Sequence, residues 1–254
     1  SKVTSLNGVP YTYEMLTKIG LKNIKINTLK YLTHAGGKLE KNKLKEIIKF
    51  CKKNNIKFFS MYGQTEASPR ISYLKPEFSE KKIGSIGKGI PGNKIYIIDN
   101  TGKKILKPFK EGEIICEGKN VFMGYSKNYS DLKRPNEVNY KLKTGDLGFL
   151  DKDGFFYITS RVDKITKIFG NRIDLGVLES LMSQKGYKIV CMSDNKKIFI
   201  FIEKKYNKTN LINTISKITN LNNSSFEMIK LKYLPRTSNN KISYNELKKI
   251  NARL

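Results

Sequence analysis

Glu40-Lys41-Asn42-Lys43-Leu44-Lys45-Glu46-Ile47-Ile48-Lys49-Phe50-Cys51-Lys52-Lys53-Asn54-Asn55 runs directly into Ile56-Lys57-Phe58-Phe59-Ser60-Met61-Tyr62-Gly63. In the first part Leu44, Ile47, Ile48 and Cys51 fall at i, i+3, i+4 and i+7 with lysines between them, the spacing of an amphipathic helix over 40–54. The second part is short and β-prone and runs out at a glycine, so it reads as a strand followed by a loop. Upstream, Tyr31-Leu32-Thr33 leads into Gly36-Gly37, another strand ending in a flexible turn. Helices alternating with strands are the α/β pattern, and it holds over residues 1–83.

Residues 84–162 are patterned differently. Glycines and prolines punctuate short runs at Lys94–Ile98, Glu113–Cys116 and Phe155–Thr159, with turn sequences at Asn100-Thr101-Gly102 and Asp151-Lys152-Asp153-Gly154. Short strands joined by turns predict a small antiparallel barrel or sandwich, of which the barrel-like form is expected. Beyond a boundary near Ser160–Lys164 the pattern is mixed again. A helix is expected from Leu175 to Met182 and a wholly apolar strand at Ile198–Ile202. A further helix should carry Leu211, Ile215 and Ile218 on one face. The expected organisation is a large α/β and β-barrel-like domain over 1–162 and a small α+β domain over 163–254.

Composition narrows the function classes. No apolar run approaches the ~18 residues a membrane span requires. The three cysteines, Cys51, Cys116 and Cys191, are too widely spaced for a metal pair or a disulfide framework, and they predict reduced, buried thiols in a cytoplasmic protein. A single histidine, His34, leaves no histidine-based zinc site. Lys+Arg 49 against Asp+Glu 22 gives a formal net charge of +27. The lysines are spread along the chain among asparagines and isoleucines, a mix that AT-rich coding produces. The alternative is attraction to an anion such as a nucleotide, a coenzyme or an acidic carrier.

Four stretches hold residues suited to chemistry. Met61-Tyr62-Gly63-Gln64-Thr65-Glu66 sets a hydroxyl and a carboxylate on a loop after a strand, where open α/β sheets bind ligands. Thr65 and Glu66 could serve a phosphate and a Mg²⁺ there. Lys143-Thr144-Gly145-Asp146 ends in a carboxylate suited to a vicinal diol. Ser160-Arg161-Val162-Asp163-Lys164 is dense in charge, and Pro235-Arg236-Thr237-Ser238-Asn239-Asn240-Lys241 is a polar loop with a basic residue. Taken singly, each is an ordinary turn or surface sequence.

Taken together and in order, they resemble the motifs of the adenylate-forming superfamily of acyl-CoA synthetases, luciferases and peptide-synthetase adenylation domains. Tyr62–Glu66 matches its Tyr-Gly-x-Thr-Glu; Gly112-Glu113, Val121 and Gly124-Tyr125 match the next motif, and Thr144–Asp146 its Thr-Gly-Asp. Arg161, Asp163, Lys167, Gly170, Arg172 and Ile173 match the long Arg-x-Asp motif, and Leu234-Pro235, Thr237 and Lys241 the last one. The resemblance implies a two-step ligase. A carboxylic acid attacks the α-phosphate of ATP with Mg²⁺, and the acyl group then passes to the thiol of coenzyme A or of a phosphopantetheine carrier protein. It implies that Tyr62 stacks on adenine with the Gly36-Gly37 backbone at its edge, that Thr65 contacts phosphate, and that Glu66 holds Mg²⁺. Asp146 would bind the ribose, helped by Arg161, and Lys241 would bridge the attacking carboxylate and the phosphate. Asp163 would be the hinge of a mobile C-terminal domain that brings the Gly170 segment in for the thiol step. His34, just before Gly36-Gly37, is expected as a packed turn residue, with the acyl pocket as the alternative.

The match has a gap. Residues 1–60 carry no Ser/Thr/Gly-rich loop ending in lysine for the β- and γ-phosphates. The chain is therefore expected to be the C-terminal portion of such an enzyme, with an apolar face left exposed. Ser160 and Asn240 stand where the family has glycine. Three readings follow. The first is a portion of an AMP-forming acid–thiol ligase. The second is a noncatalytic or split-enzyme partner that needs a separate N-terminal half. The weakest is a basic nucleic-acid-binding module, which would call for clustered arginines.

Overall fold

The computed structural model describes residues 2–23, 27–194, 196–237 and 242–253, and its contacts divide the chain into Ser1–Thr159 and Ser160–Leu254. The first unit opens β1 (Ser5–Gly8), α1 (Pro10–Ile19), β2 (Tyr31–His34), α2 (Lys41–Lys53), β3 (Lys57–Gly63). In α2 the four residues of the apolar stripe, Leu44, Ile47, Ile48 and Cys51, are all buried. The helix stops at Asn54, whose side chain donates to Phe50 O (2.8 Å), and Asn55 turns the chain in the left-handed region at φ 54°. Strands β1, β2 and β3 pair in parallel, with Leu32 opposite Phe58 and His34 opposite Ser60. Their carboxyl ends therefore share one edge of the sheet, the edge at which such sheets place ligands.

The remaining strands are β4 (Arg70–Leu74), β5 (Ser85–Gly89), β6 (Lys94–Ile98), β7 (Lys104–Ile105), β8 (Gly112–Glu117), β9 (Lys141–Leu150) and β10 (Phe156–Arg161). They are present as short runs, as the turn signals predict, but the expected barrel does not close among the described residues. All ten strands form one sheet in the order β1-β2-β3-β4-β5-β10-β9-β8-β6-β7. Closure would require the segment's end strands to find each other. Instead β5 pairs antiparallel with both β4 and β10, and β7 is a two-residue edge. At Gly87, φ is 78° and an added Cβ would lie 1.8 Å from Tyr73 O, so only glycine lets β5 approach β4 this closely.

His34 ends β2 at 5% exposure, its ring edge-on to Tyr13 with centroids 5.7 Å apart. Among the described residues neither ring nitrogen has a hydrogen-bond partner, and burial lowers its pKa to about 4 from 6.5. With the folded value below the unfolded one, the unfolded chain binds more protons between these pH values. Stability is therefore lost as pH falls from 6.5 toward 4, by on the order of 3 kcal/mol. Thermal melts at pH 7 and pH 4.5 should show a drop that shrinks in His34→Phe; equal drops in both proteins would contradict a buried neutral imidazole. Cys51 and Cys116 are also buried, and burial pushes their thiols up to about 12 and about 11.

The second unit has a hairpin, β11 (Ile165–Ile168) and β12 (Asn171–Asp174), followed by α3 (Leu175–Gln184). Asp174 caps α3 by accepting from Val177 N (3.0 Å). A three-stranded sheet follows, with β13 (Ile189–Ser193), β14 (Ile198–Ile202) and β15 (Phe226–Lys230) in the order β13-β14-β15, together with α4 (Lys208–Thr219) and α5 (Tyr244–Asn251). The apolar run Ile198–Ile202 is the central strand, and all five residues are buried. Ile198, Ile200 and Ile202 join the core of α3 and α4, whereas Phe199 and Phe201 join Leu247 of α5. That is why the run does not alternate with polar residues: both faces are covered. No helix among the described residues is long and apolar enough to cross a membrane.

Candidate functional site

Tyr62, the second-to-last residue of β3, donates its hydroxyl to Asp146 Oδ2 at 2.5 Å, joining residues 84 apart in sequence. Gln64 Nε2 donates to the same oxygen (3.0 Å) and to Thr144 O (2.7 Å). The Thr144 hydroxyl donates to Ile114 O (2.8 Å) and accepts from Asp146 N (3.1 Å), while Gly145 N donates to Glu113 Oε1 (3.2 Å). Each residue of the Thr-Gly-Asp stretch is thereby tied to β8 or to itself, and Asp146 is held at 6% exposure. A buried carboxylate needs donors around it, and Tyr62 and Gln64 supply two. The chain thus brings together two of the four motif stretches within the first unit.

Thr65 and Glu66 sit in the short 3₁₀ turn Thr65–Ala67, beyond β3. The turn is anchored from the 118–125 loop: Phe122 N donates to Glu66 O (2.8 Å), and Asn120 Nδ2 donates to Ala67 O (2.7 Å) and Arg70 O (2.8 Å). Tyr125 donates its hydroxyl to Glu66 Oε1 at 2.7 Å, and this bond raises the Tyr125 pKa. No group of three or more potential metal ligands exists among the described residues. A cation at Glu66 would accordingly rely on one carboxylate, with phosphate and water oxygens completing its shell. That is the usual habit of Mg²⁺, so the donor set fits the ion.

Gly36, at φ 81°, and Gly37 follow β2 on the same edge of the sheet as Tyr62. A Cβ at Gly36 would lie 3.3 Å from Val9, and one at Gly37 would lie 3.0 Å from Pro10, so the turn packs over the start of α1. In the second unit, Arg161 Nε donates to Asp163 Oδ1 (3.1 Å), with both side chains at least half exposed. Gly170, at φ 79°, turns the β11–β12 hairpin, and an added Cβ there would meet nothing within 4 Å. Lys241 and Asn240 lie outside the described residues. A groove of about 330 Å³ lined by Lys82, Phe149, Asp151 and Tyr157 contains none of the motif residues. Gln64 and the hydroxyl of Tyr125 had no role in the sequence pattern; a glutamine inside Tyr-Gly-x-Thr-Glu is a lone polar residue until the fold brings Asp146 to it.

A family profile described as AMP-binding enzyme matches residues 1–126. The o-succinylbenzoate CoA synthetase of Bacillus subtilis, solved with its acyl-adenylate intermediate, superposes with a TM-score of 0.73 at 28% identity, over 97% of this chain and 51% of that one. Residues 1–126 are thus similar to the AMP-binding enzymes, and the fold of the chain is that of the adenylate-forming ligases. The 2-succinylbenzoate–CoA ligase of Bacillus subtilis (strain 168) is 34% identical over 139 residues, 54% of this chain and 27% of that protein. That of Oceanobacillus iheyensis is 32% identical over 183 residues, 72% of this chain and 36% of the relative. The same Bacillus subtilis synthetase solved with ATP and magnesium ion superposes at a TM-score of 0.71, over 97% of this chain and 52% of that one. The chain thus spans about half the length of the solved relatives that it matches.

Proposed function

We propose that this chain is the C-terminal portion of an AMP-forming acid–thiol ligase, which joins a carboxylic acid to AMP at the expense of ATP and then passes the acyl group to coenzyme A or a phosphopantetheine thiol. The observation that carries this reading is the Tyr62–Gln64–Asp146 constellation at the carboxyl edge of the parallel strands. Asp146 takes the ribose hydroxyls and Tyr62 meets the adenine while holding Asp146 in place. Gly36 and Gly37 line the edge of the base. Thr65 contacts phosphate, and Glu66 would hold Mg²⁺, which when bound neutralises phosphate charge. Arg161 supports the ribose, Asp163 is the pivot of a small domain over 163–254, and Gly170 serves the thiol step. Lys241 brings a cation between acid and phosphate, the kind of charge neutralisation on which phosphoryl chemistry depends. The acid to test first is the one that names the relatives, 2-succinylbenzoate. The net charge of +27 suits either anionic acceptor, and three buried thiols suit the cytoplasm.

A specific observation favours a further portion of the fold, carried by a partner polypeptide in the split-enzyme form, over this sheet. Strands β1 to β3 are parallel, and α1 and α2 pack with Leu32 and Phe58 on one face. On the other face Tyr31, Phe59 and Tyr73 form a row with ring centroids 6.2 Å apart, and Tyr31 is 40% exposed. Parallel sheets are ordinarily covered on both faces, so this row suits burial under the portion of the fold that the relatives possess and this chain does not match. The test is acid-dependent ATP–pyrophosphate exchange with 2-succinylbenzoate, by the chain alone and mixed with the N-terminal portion of the Bacillus subtilis ligase. Exchange in the mixture alone supports the split-enzyme form, and exchange by the chain alone supports ligation without a partner. Absence of both exchange and Mg·ATP binding would overturn the proposal.

A further inference from the structure

Lys164 follows the proposed pivot directly, and its side chain is largely enclosed, at 16% exposure. Its ammonium donates to Glu179 Oε1 of α3 (2.9 Å) and to the hydroxyl of Tyr244, and it lies 4.1 Å from the centroid of that ring. Glu179 Oε1 also accepts from Cys191 N in β13 (2.7 Å), so one carboxylate joins the lysine to the sheet. Burial disfavours the charged lysine, and the Glu179 carboxylate and Tyr244 hydroxyl outweigh that cost, so its pKa is raised. Tyr244 is the first residue of α5. Just before it, Arg236 bridges Ile242, and Ser243 N donates to Pro235 O (2.9 Å), which closes the two flanks of residues 238–241 on each other. Leu247, fully buried one turn later, pins the body of the helix.

We propose that Lys164 is a positioning residue that clamps the start of α5, and with it the backbone leading to Lys241, to the segment beside Asp163. The clamp rests on the reading of Lys241 as the residue that serves adenylation. A lysine between a carboxylate and a phenol is a costly choice for mere packing, because apolar residues would fill the same volume without desolvating a charge. Its geometry instead fixes one helix end relative to the pivot within a single compact unit.

The test uses the chain with three substitutions. Tyr244→Phe removes only the hydroxyl, Lys164→Met removes the cation, and Lys164→Arg restores a cation. Hydrogen exchange should speed up about tenfold at residues 242–247 in Tyr244→Phe and Lys164→Met, with β13 and β14 unchanged and Lys164→Arg close to wild type. Unchanged exchange at 242–247 in Tyr244→Phe, or equal acceleration across β13 and β14, overturns the clamp. In the preparation that forms adenylate, Tyr244→Phe should lower the adenylation rate about tenfold with the KM for ATP unchanged, and should spare the thiol step. Lys241→Ala measured in parallel separates the two claims. If it leaves adenylation intact, the role of Lys241 fails; if it abolishes adenylation while Tyr244→Phe does nothing, the positioning role fails.

Discussion

Lys241→Ala is expected to slow adenylate formation by a factor on the order of 10² to 10³, while transfer of a preformed acyl-adenylate to the thiol changes little. Adenylation brings a carboxylate against a polyanion, and the repulsion peaks as the new acid–phosphate bond forms. A long cationic stem that reaches both groups at that moment lowers the barrier more than it tightens either ground state, so the loss should fall on kcat rather than KM. The second half-reaction releases AMP and forms a thioester with no such meeting of like charges. Single-turnover measurement of each step, with acid plus ATP in one and synthetic acyl-adenylate plus thiol in the other, checks this. Equal losses in both steps would contradict the role given to Lys241.

Asp146→Ala is expected to weaken ATP binding by about 10- to 100-fold. Two contributions act in the same direction. The carboxylate that would accept from the ribose hydroxyls is gone, and the Tyr62 hydroxyl and Gln64 amide lose the acceptor they share at 2.5 and 3.0 Å. Losing two hydrogen bonds to a buried acceptor costs about 1–3 kcal/mol, so the variant should also melt earlier. Tyr62→Phe separates the contributions, since it removes the hydroxyl that steadies Asp146 and keeps the carboxylate. Its ATP affinity should fall between wild type and Asp146→Ala. An ATP affinity unchanged in Asp146→Ala, measured at a temperature where the variant remains folded, would count against the ribose contact.

Local patterns in the sequence predict the elements whose burial is local. The stripe of Leu44, Ile47, Ile48 and Cys51 specifies α2 because a single helical face meets a single sheet, and the run at 198–202 specifies β14 because both its faces are covered. By contrast, α1 and β1 are hard to read. The only fully buried residue of α1 is Tyr13, and its N-cap position holds Val9, which has no side-chain cap, so neither periodicity nor capping marks its start. The barrel-like segment was foreseeable as strands but not as an open sheet. Closure depends on which distant strands pair, and β5 pairs with β4 as well as β10. The site follows the same rule. Tyr62 and Asp146 stand out by motif, yet the bond between them and the part played by Gln64 depend on a contact across 84 residues. Lys164 reads in sequence as one more charge in a polar boundary; only the approach of α3 and α5 makes it a largely enclosed, paired cation.

Tyr62, Gln64 and Asp146 are expected to form the floor of a nucleotide site. The most direct test is calorimetric titration of the 254-residue chain, wild type and Asp146→Ala, with Mg·ATP and with a nonhydrolysable acyl-adenylate mimic. Wild type is expected to bind the mimic more tightly than ATP, and Asp146→Ala to lose most of the affinity for both. Equal binding by the two proteins, or no binding of the mimic by wild type, would contradict this expectation.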